Sequence, residues 1–413
     1  MNRKWPTQKL EDLAADIPYP IGDGDHGQIK PSFYTDSGIP YIRVGDIGWG
    51  VFKPDNIVFI SKEVHEINLK SELRPGDILL AKTGATIGKC CIVPDSITRA
   101  NTTSSVGKVT VDKNKVLPQW VLYWFLSPAF FRFMWSISKR AAQPGFNNRD
   151  IKLFEIPLPP LAEQRRIVGL LDEAFEGLAT AKANAEKNLQ NARALFESHL
   201  QSVFTQRGNG WVENKLKSIT TKIGSGATPR GGGESYKDEG ISLIRSLNVH
   251  DLGFKYAKLA FLDDAQADEL SNVEVQRRDV LLNITGASVA RCAIVPDDVL
   301  PARVNQHVSI IRPVAEKLDA DFLHYLLISR PYKDQLLKTG EEGGSTRQAI
   351  TKAQIQDFTV EYPAKLKDQK IIVVKLDAML AETQRLARIY ERKLAALAEL
   401  KKSLLHQAFT GEL

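Results

Sequence analysis

The chain is written twice, and that constrains its fold more than any other feature. Residues 77–94, DILLAKTGATIGKCCIVP, run without a gap alongside residues 279–296, DVLLNITGASVARCAIVP. Asp, Leu-Leu, Thr-Gly-Ala, Cys and Ile-Val-Pro coincide. Upstream, Trp5, Lys9 and Leu10 are echoed by Trp211, Lys215 and Leu216, and residues 38–43, GIPYIR, by residues 240–245, GISLIR. Downstream, Tyr123 and Ser127 match Tyr325 and Ser329, Phe154 matches Phe358, and Gln164, Ile167, Val168, Leu171 and Asp172 match Gln369, Ile372, Val373, Leu376 and Asp377. Ser198, Leu200, Phe204 and Thr205 face Ser403, Leu405, Phe409 and Thr410. A spacing of about 202 to 206 residues holds throughout, so a tandem duplication covers nearly the whole chain. With 413 residues, more than one ordinary core can bury, the chain reads as two related domains.

Each copy has the same plan. Its first part, residues 1–160 and again 208–364, consists of short apolar, β-branched runs separated by Gly, Pro, Asn and Asp, the pattern of strands and turns with a few helices. The remainder, residues 161–207 and 365–413, is helical. Ile167, Leu171, Ala174, Leu178, Ala181 and Ala185 step by four and three, followed less strictly by Ala192, Phe196 and Val203. Ile372, Leu376, Met379, Thr383, Leu386 and Tyr390 do the same, followed by Leu394, Leu397, Leu400 and Leu404. Pro157, Pro159, Pro160 and Pro363 precede these helices, and Gly208, Gly210 and Gly411 follow them. The expected fold is α+β: two tandem α/β domains joined by two long antiparallel helices packed as a coiled coil, with a pseudo-twofold relation between the copies.

Composition narrows the class. The start lacks a signal-peptide core, and the most apolar stretch, Trp120 to Trp135, is interrupted by Ser127-Pro128 and Arg132 and is too short to span a bilayer, so a cytoplasmic protein is expected. Trp120, Tyr123, Trp124, Phe130 and Phe131 read as the apolar face of a helix, not as a base-stacking platform. Three cysteines, two adjacent, argue against a disulfide framework or zinc site and for buried strand residues. The formal charge of +6 suits an anionic partner, although no long basic run concentrates it.

A helix of about 38 residues is roughly 57 Å long, so domains at its ends could meet stretches of duplex more than one ~34 Å turn apart. This organisation closely resembles the specificity subunit of type I restriction–modification systems, over the entire chain. PLPPLAEQRRIVGLLD, residues 157–172, is similar to the opening of that family's central helix. IGSGATP, residues 223–229, resembles the Gly-rich turn of its target-recognition domains, and LLAKTGATIGK and LLNITGASVAR resemble its Thr-Gly loop. The first copy departs from the pattern, carrying Ile21-Gly22-Asp23-Gly24-Asp25-His26 in place of the Gly-x-Thr-Pro turn. The resemblance implies a non-catalytic subunit that binds double-stranded DNA. Each domain would read half of a bipartite site in the major groove. The helix pair would set the unread spacer and dock two methyltransferase subunits, through which restriction/translocase subunits join. This chain would hold no cofactor or metal; S-adenosylmethionine, ATP and magnesium would belong to the partners.

Half-sites that differ must be read by residues that differ between the copies, whereas shared residues suit scaffold or phosphate contacts. Asn, Gln and Arg can pair bidentately with adenine or guanine edges. The Thr-Gly loops offer Lys82 and Thr83 in the first copy and Asn283 and Thr285 in the second. The next loops, residues 99–104 and 303–307, offer Asn101 and Thr102, then Asn305, Gln306 and His307. The last loops offer Gln143, Asn147, Asn148 and Arg149, then Arg347, Gln348 and Lys352. Lys89 and Arg291 match and suit phosphate. Arg43 and Arg245 also match, with either role open, and Arg230 opens a Gly-rich stretch where backbone could approach a phosphate. Against each stands the commoner fate of Asn, Gly and Thr in loops, which is to satisfy a turn.

Enzyme motifs are missing. Asp150-x-Lys152 and Glu213-x-Lys215 lack a Pro-Asp 10 to 30 residues upstream, the only Pro-Pro lies in Leu-Pro-Pro-Leu, and no Walker lysine or Gly-x-Ser-x-Gly elbow occurs. A protein-binding coiled-coil adaptor would explain the helices but not two diverged, loop-rich domains. The specificity subunit of another multisubunit restriction system is the nearer alternative.

Overall fold

A computed structural model describes residues 5–138, 145–341 and 349–413. The chain forms two compact units, one comprising Met1–Glu186 with Arg392–Leu413, the other Lys187–Glu391.

In unit 1 a four-stranded antiparallel sheet has the order Ile21–Asp23, Val106–Val109, Ile78–Ala81, Cys90–Ile92. The central run Ile78–Ala81 shows no polar alternation because both faces of its sheet are covered. Ile78 and Leu80 point into a core with the helix Pro118–Phe125, while Leu79 points into a second core with Cys91 and Val106. A second sheet has the order Tyr34–Thr35, Val58–Ile60, Ile39–Ile42, Ala100–Thr102, Glu72–Leu73; only Ile39–Ile42 and Ala100–Thr102 run parallel. Trp120, Tyr123, Trp124 and Phe130 are buried as a helical apolar face, as their spacing predicts.

Unit 2 repeats this plan. Its antiparallel sheet has the order Thr220–Ser225, Val308–Pro313, Val280–Asn283, Cys292–Ile294. Val280 and Leu282 face one core and Leu281 another. The second sheet has the order Ala260–Leu262, Ile241–Ile244, Ala302–Val304, Glu274–Val275, with Ile241–Ile244 again parallel to its later neighbour.

The two long helices are Leu161–Thr205 and Leu366–Thr410, each of 45 residues, and Gly411 follows the second in the left-handed region at φ 79°. Each unit takes half of each helix. In unit 1, Arg166 donates to the Leu413 carbonyl at 2.8 Å and the Lys401 ammonium lies 4.8 Å from the Phe175 ring centre. As one helix advances its partner recedes, so the halves are antiparallel. In unit 2, Arg193 pairs with Glu391 at 2.9 Å, and Phe196, Leu200 and Phe204 share a core with Val373 and Leu376. One part of the apolar stripe departs from its expected spacing. Leu400 is 47% exposed, whereas Leu405, Ala408 and Phe409 are buried in the core of unit 1 with Trp120 and Trp124, so these last turns pack on the globular part.

Residues identical in both copies form the joints between helix and globular part. Gln164 accepts from the Leu117 N–H at 2.9 Å and donates to the Lys115 and Pro159 carbonyls; Gln369 accepts from the Asp319 N–H at 2.8 Å and donates to those of Lys317 and Pro363. Tyr123 donates to Asp172 as Tyr325 does to Asp377. All three cysteines are free and buried. Among the described residues no helix is long and apolar enough to cross a membrane.

Candidate nucleic-acid interface

In unit 2 four loop segments meet. Gly226 donates to the Asn305 carbonyl at 3.1 Å, and a Cβ there would lie 1.7 Å from the Val304 carbonyl oxygen, so only glycine permits this approach. The turn presents Thr228 to Gln306, whose Oε1 accepts from the threonine hydroxyl. Ile284 donates to the His307 carbonyl at 3.0 Å, and Ile350 to the Ile284 carbonyl at 2.8 Å. Thr285 Oγ1 then lies 2.5 Å from His307 Nδ1, and Gln306 Nε2 3.2 Å from His307 Nε2. Asn305 is buried and secures the turn, its Oδ1 accepting from the His307 N–H at 3.0 Å. Gln306, Arg230 and Lys352 are exposed and Arg291 half-buried. Among the described residues no side-chain hydrogen bond or ion pair engages Arg230, Arg291 or Lys352, the state suited to meeting phosphate.

Unit 1 builds its tip differently on the same frame. Gly24 donates to the Thr103 carbonyl at 3.1 Å and would place a Cβ 1.8 Å from the Thr102 carbonyl oxygen. The first copy thus keeps the Gly-rich turn's close approach without its Gly-x-Thr-Pro signature. Asp25 accepts from the Ile29 N–H at 2.8 Å and from the Tyr41 hydroxyl; burial, reinforced by Asp25, pushes the Tyr41 pKa up. Asp23 binds Lys82, with His26 3.4 Å away. Burial opposes ionisation of Asp23, yet hydrogen bonds from Lys82 and Asn148 and the nearby positive charges hold its carboxyl below the usual range. Thr83 bridges to Gly145, and Asn147 caps the helix Asn148–Lys152, accepting from the Arg149 N–H at 2.8 Å. Thr83, Asn147 and Arg149 are exposed, and Lys89 is half-buried.

Several residues selected from the sequence lie elsewhere. Lys82 is buried and committed to Asp23 and Asn148, so it braces the tip instead of facing solvent. Asn101 is fully buried, donating to the Asn68 carbonyl and Ser71 and facing His65. Thr102 is fully buried and donates to the Ile42 carbonyl, and Asn283 is fully buried and donates to that of Ser246. These four cannot reach a base or phosphate from their positions. Arg43 and Arg245 spend their guanidinium groups inside their units, on the Asn56 and Lys258 carbonyls and over the Tyr34 and Tyr236 rings. Strand pairing sets Arg303 at the position of Asn101, and Gln306 and His307 at those of Ser104 and Ser105. Gln143, Arg347 and Gln348 lie outside the described residues. Thr228 and Asp23 were not singled out; their signal was their place in the Gly-rich turn and its divergent counterpart.

The model of the type I restriction modification DNA specificity domain matches residues 3–189 and again 208–391. Among curated relatives, the chain is 30% identical over 202 residues to the specificity subunit of the Escherichia coli type I restriction enzyme EcoBI, covering 49% of this chain and 41% of that one. It is 24% identical over 371 residues to the specificity subunit of the Methanocaldococcus jannaschii type I restriction enzyme MjaVIII, covering 86% of this chain and 83% of that one. A chain solved in work on complex assembly and conformational transition of the type I R-M system has the same fold, with a TM-score of 0.75 at 20% identity over 100% of this chain and 99% of that one. The duplicated domain, its Gly-rich turns and its paired long helices thus have one explanation: the chain belongs to the family of type I restriction modification DNA specificity proteins and is a non-catalytic specificity subunit carrying two such domains.

Proposed function

We propose that each unit reads one half of a bipartite double-stranded DNA site in the major groove, and that the long helices set the unread spacer and dock two methyltransferase subunits. Restriction/translocase subunits would join through that methyltransferase core in the cytoplasm. S-adenosylmethionine, ATP and magnesium would be bound by the partners. The observation that carries this reading is the division of labour between shared and unshared residues. Gln164 and Gln369, and Tyr123 and Tyr325, make the same joints, whereas the tip is braced from within by Asp23, Lys82 and Asn148 in one unit and carries Thr228, Gln306 and His307 in the other. A frame held constant while its tips diverge is what two different half-sites require.

The test is methylation mapping by single-molecule sequencing in cells expressing this chain with its neighbouring methyltransferase, against cells lacking the chain. A split adenine-methylated motif that depends on the chain is expected. Methylation unchanged by its deletion would favour the protein-adaptor reading. Exchanging residues 1–155 for those of a relative should change one half-site and leave the other. Inserting one heptad into each long helix adds ~10 Å of rod at ~1.5 Å per residue, or about three base pairs at ~3.4 Å each. The spacer should change while both half-sites persist; altered half-site bases would refute the ruler.

A further inference from the structure

We infer that Gln306 is the side chain through which unit 2 selects an A·T base pair, and that Thr228, His307 and Thr285 are positioning residues that hold its amide for that task. This rests on the reading of unit 2 as one half of a DNA-reading protein.

Gln306 is exposed, yet its amide is held at both ends. Oε1 accepts from the Thr228 hydroxyl, and Nε2 lies 3.2 Å from His307 Nε2. If Nε2 donates there, the His307 proton sits on Nδ1, facing Thr285 Oγ1 at 2.5 Å. Reversing the amide reverses every bond in the row and leaves the same result. In either arrangement one amide N–H and one oxygen lone pair remain unused on a single planar group. An adenine edge in the major groove offers the complement, an acceptor at N7 and a donor at N6. Holding a flexible glutamine in place before binding reduces the ordering entropy that recognition would otherwise cost.

The duplication isolates this feature. The turn glycines, Gly24 and Gly226, and the Thr-Gly loops, with Thr83 and Thr285, correspond. Where unit 2 has Thr228, Gln306 and His307, unit 1 has His26, Ser104 and Ser105, which cannot form the same row. The row is therefore confined to one of the two tips and lies where the half-sites must be told apart. Asn305 anchors it from beneath.

The experiment maps methylation by the complete complex in cells without background methylation, for the parent chain and for Gln306→Ala, Gln306→Glu, Thr228→Val and Thr228→Ser. Expected for Gln306→Ala is loss of one A·T requirement in a single half-site, the one unaffected by exchange of residues 1–155, with discrimination there falling roughly 5- to 150-fold. Gln306→Glu, an acceptor only, should turn that position toward C·G. Thr228→Val should blur the same position and Thr228→Ser restore it, a rescue that a general packing role would not confine to one base pair. If the parent gives no split motif, the reading of the whole chain falls. If the parent gives one and Gln306→Ala leaves every position unchanged, or alters the other half-site, the inference alone is overturned. If Gln306→Ala abolishes methylation, binding of the purified complex to duplexes carrying each base pair in turn decides. Loss confined to the A·T duplex supports the inference, and equal loss for all four base pairs refutes it.

Discussion

Deleting residues 392–413 is expected to unfold unit 1 while unit 2 stays folded. The deleted turns supply Leu405, Ala408 and Phe409 to the unit 1 core. Phe409 packs on two indoles, its ring centre 4.6 Å from that of Trp120 and 5.1 Å from that of Trp124, and Trp5 donates its indole N–H to the Ala408 carbonyl. Emptying a buried leucine site costs about 2–5 kcal/mol and a phenylalanine site about 3–5. Their sum rivals the ~5–15 kcal/mol that holds a whole domain together. Hydrogen exchange read by mass spectrometry should show protection lost across residues 5–186 and kept across 187–391. Equal loss in both units, or none, would contradict this division of the chain.

Leucine at Gln164 or at Gln369 should destabilise its own unit by roughly 3–9 kcal/mol, the cost of stranding one amide N–H and two carbonyls at ~1–3 kcal/mol each. Both glutamines are fully buried, and each closes three hydrogen bonds between the start of a long helix and the globular part beside it. Exchange protection again assigns the loss: Gln164→Leu should weaken unit 1, and Gln369→Leu unit 2. An effect below about 1 kcal/mol would mean that water replaces the lost amide at the joint.

The duplication made the two related folds legible, because identical residues at a constant offset can only mean equivalent positions. Gln164 with Gln369 and Tyr123 with Tyr325 were readable for the same reason. What the linear pattern could not carry was exchange between strands. In unit 1, Asn101 faces His65 beside Glu72; in unit 2, Arg303 reaches over Ala267 toward Glu274, 3.8 Å away. A larger side chain on one strand is compensated by a smaller one on a neighbouring helix, an exchange that shows only across the sheet. Lys82 misled for a similar reason. Its partner Asp23 stands 59 residues away, and only the fold shows that the pair neutralises itself below the surface. The row of Thr228, Gln306, His307 and Thr285 draws on three separate loops, which makes its members visible singly but not as a group.

The discontinuity of unit 1 bears on how the chain emerges from the ribosome. Unit 2 is one unbroken segment and can complete its core as soon as Glu391 is made. Unit 1 begins first but must wait for the final turns of the second helix. At ~5–20 residues per second, the interval between Glu186 and Phe409 is about 10 to 45 s. Throughout it the indoles of Trp120 and Trp124 lack the ring that covers them. The half synthesised first is thus the half that folds last, and in that window it is a natural client for chaperones.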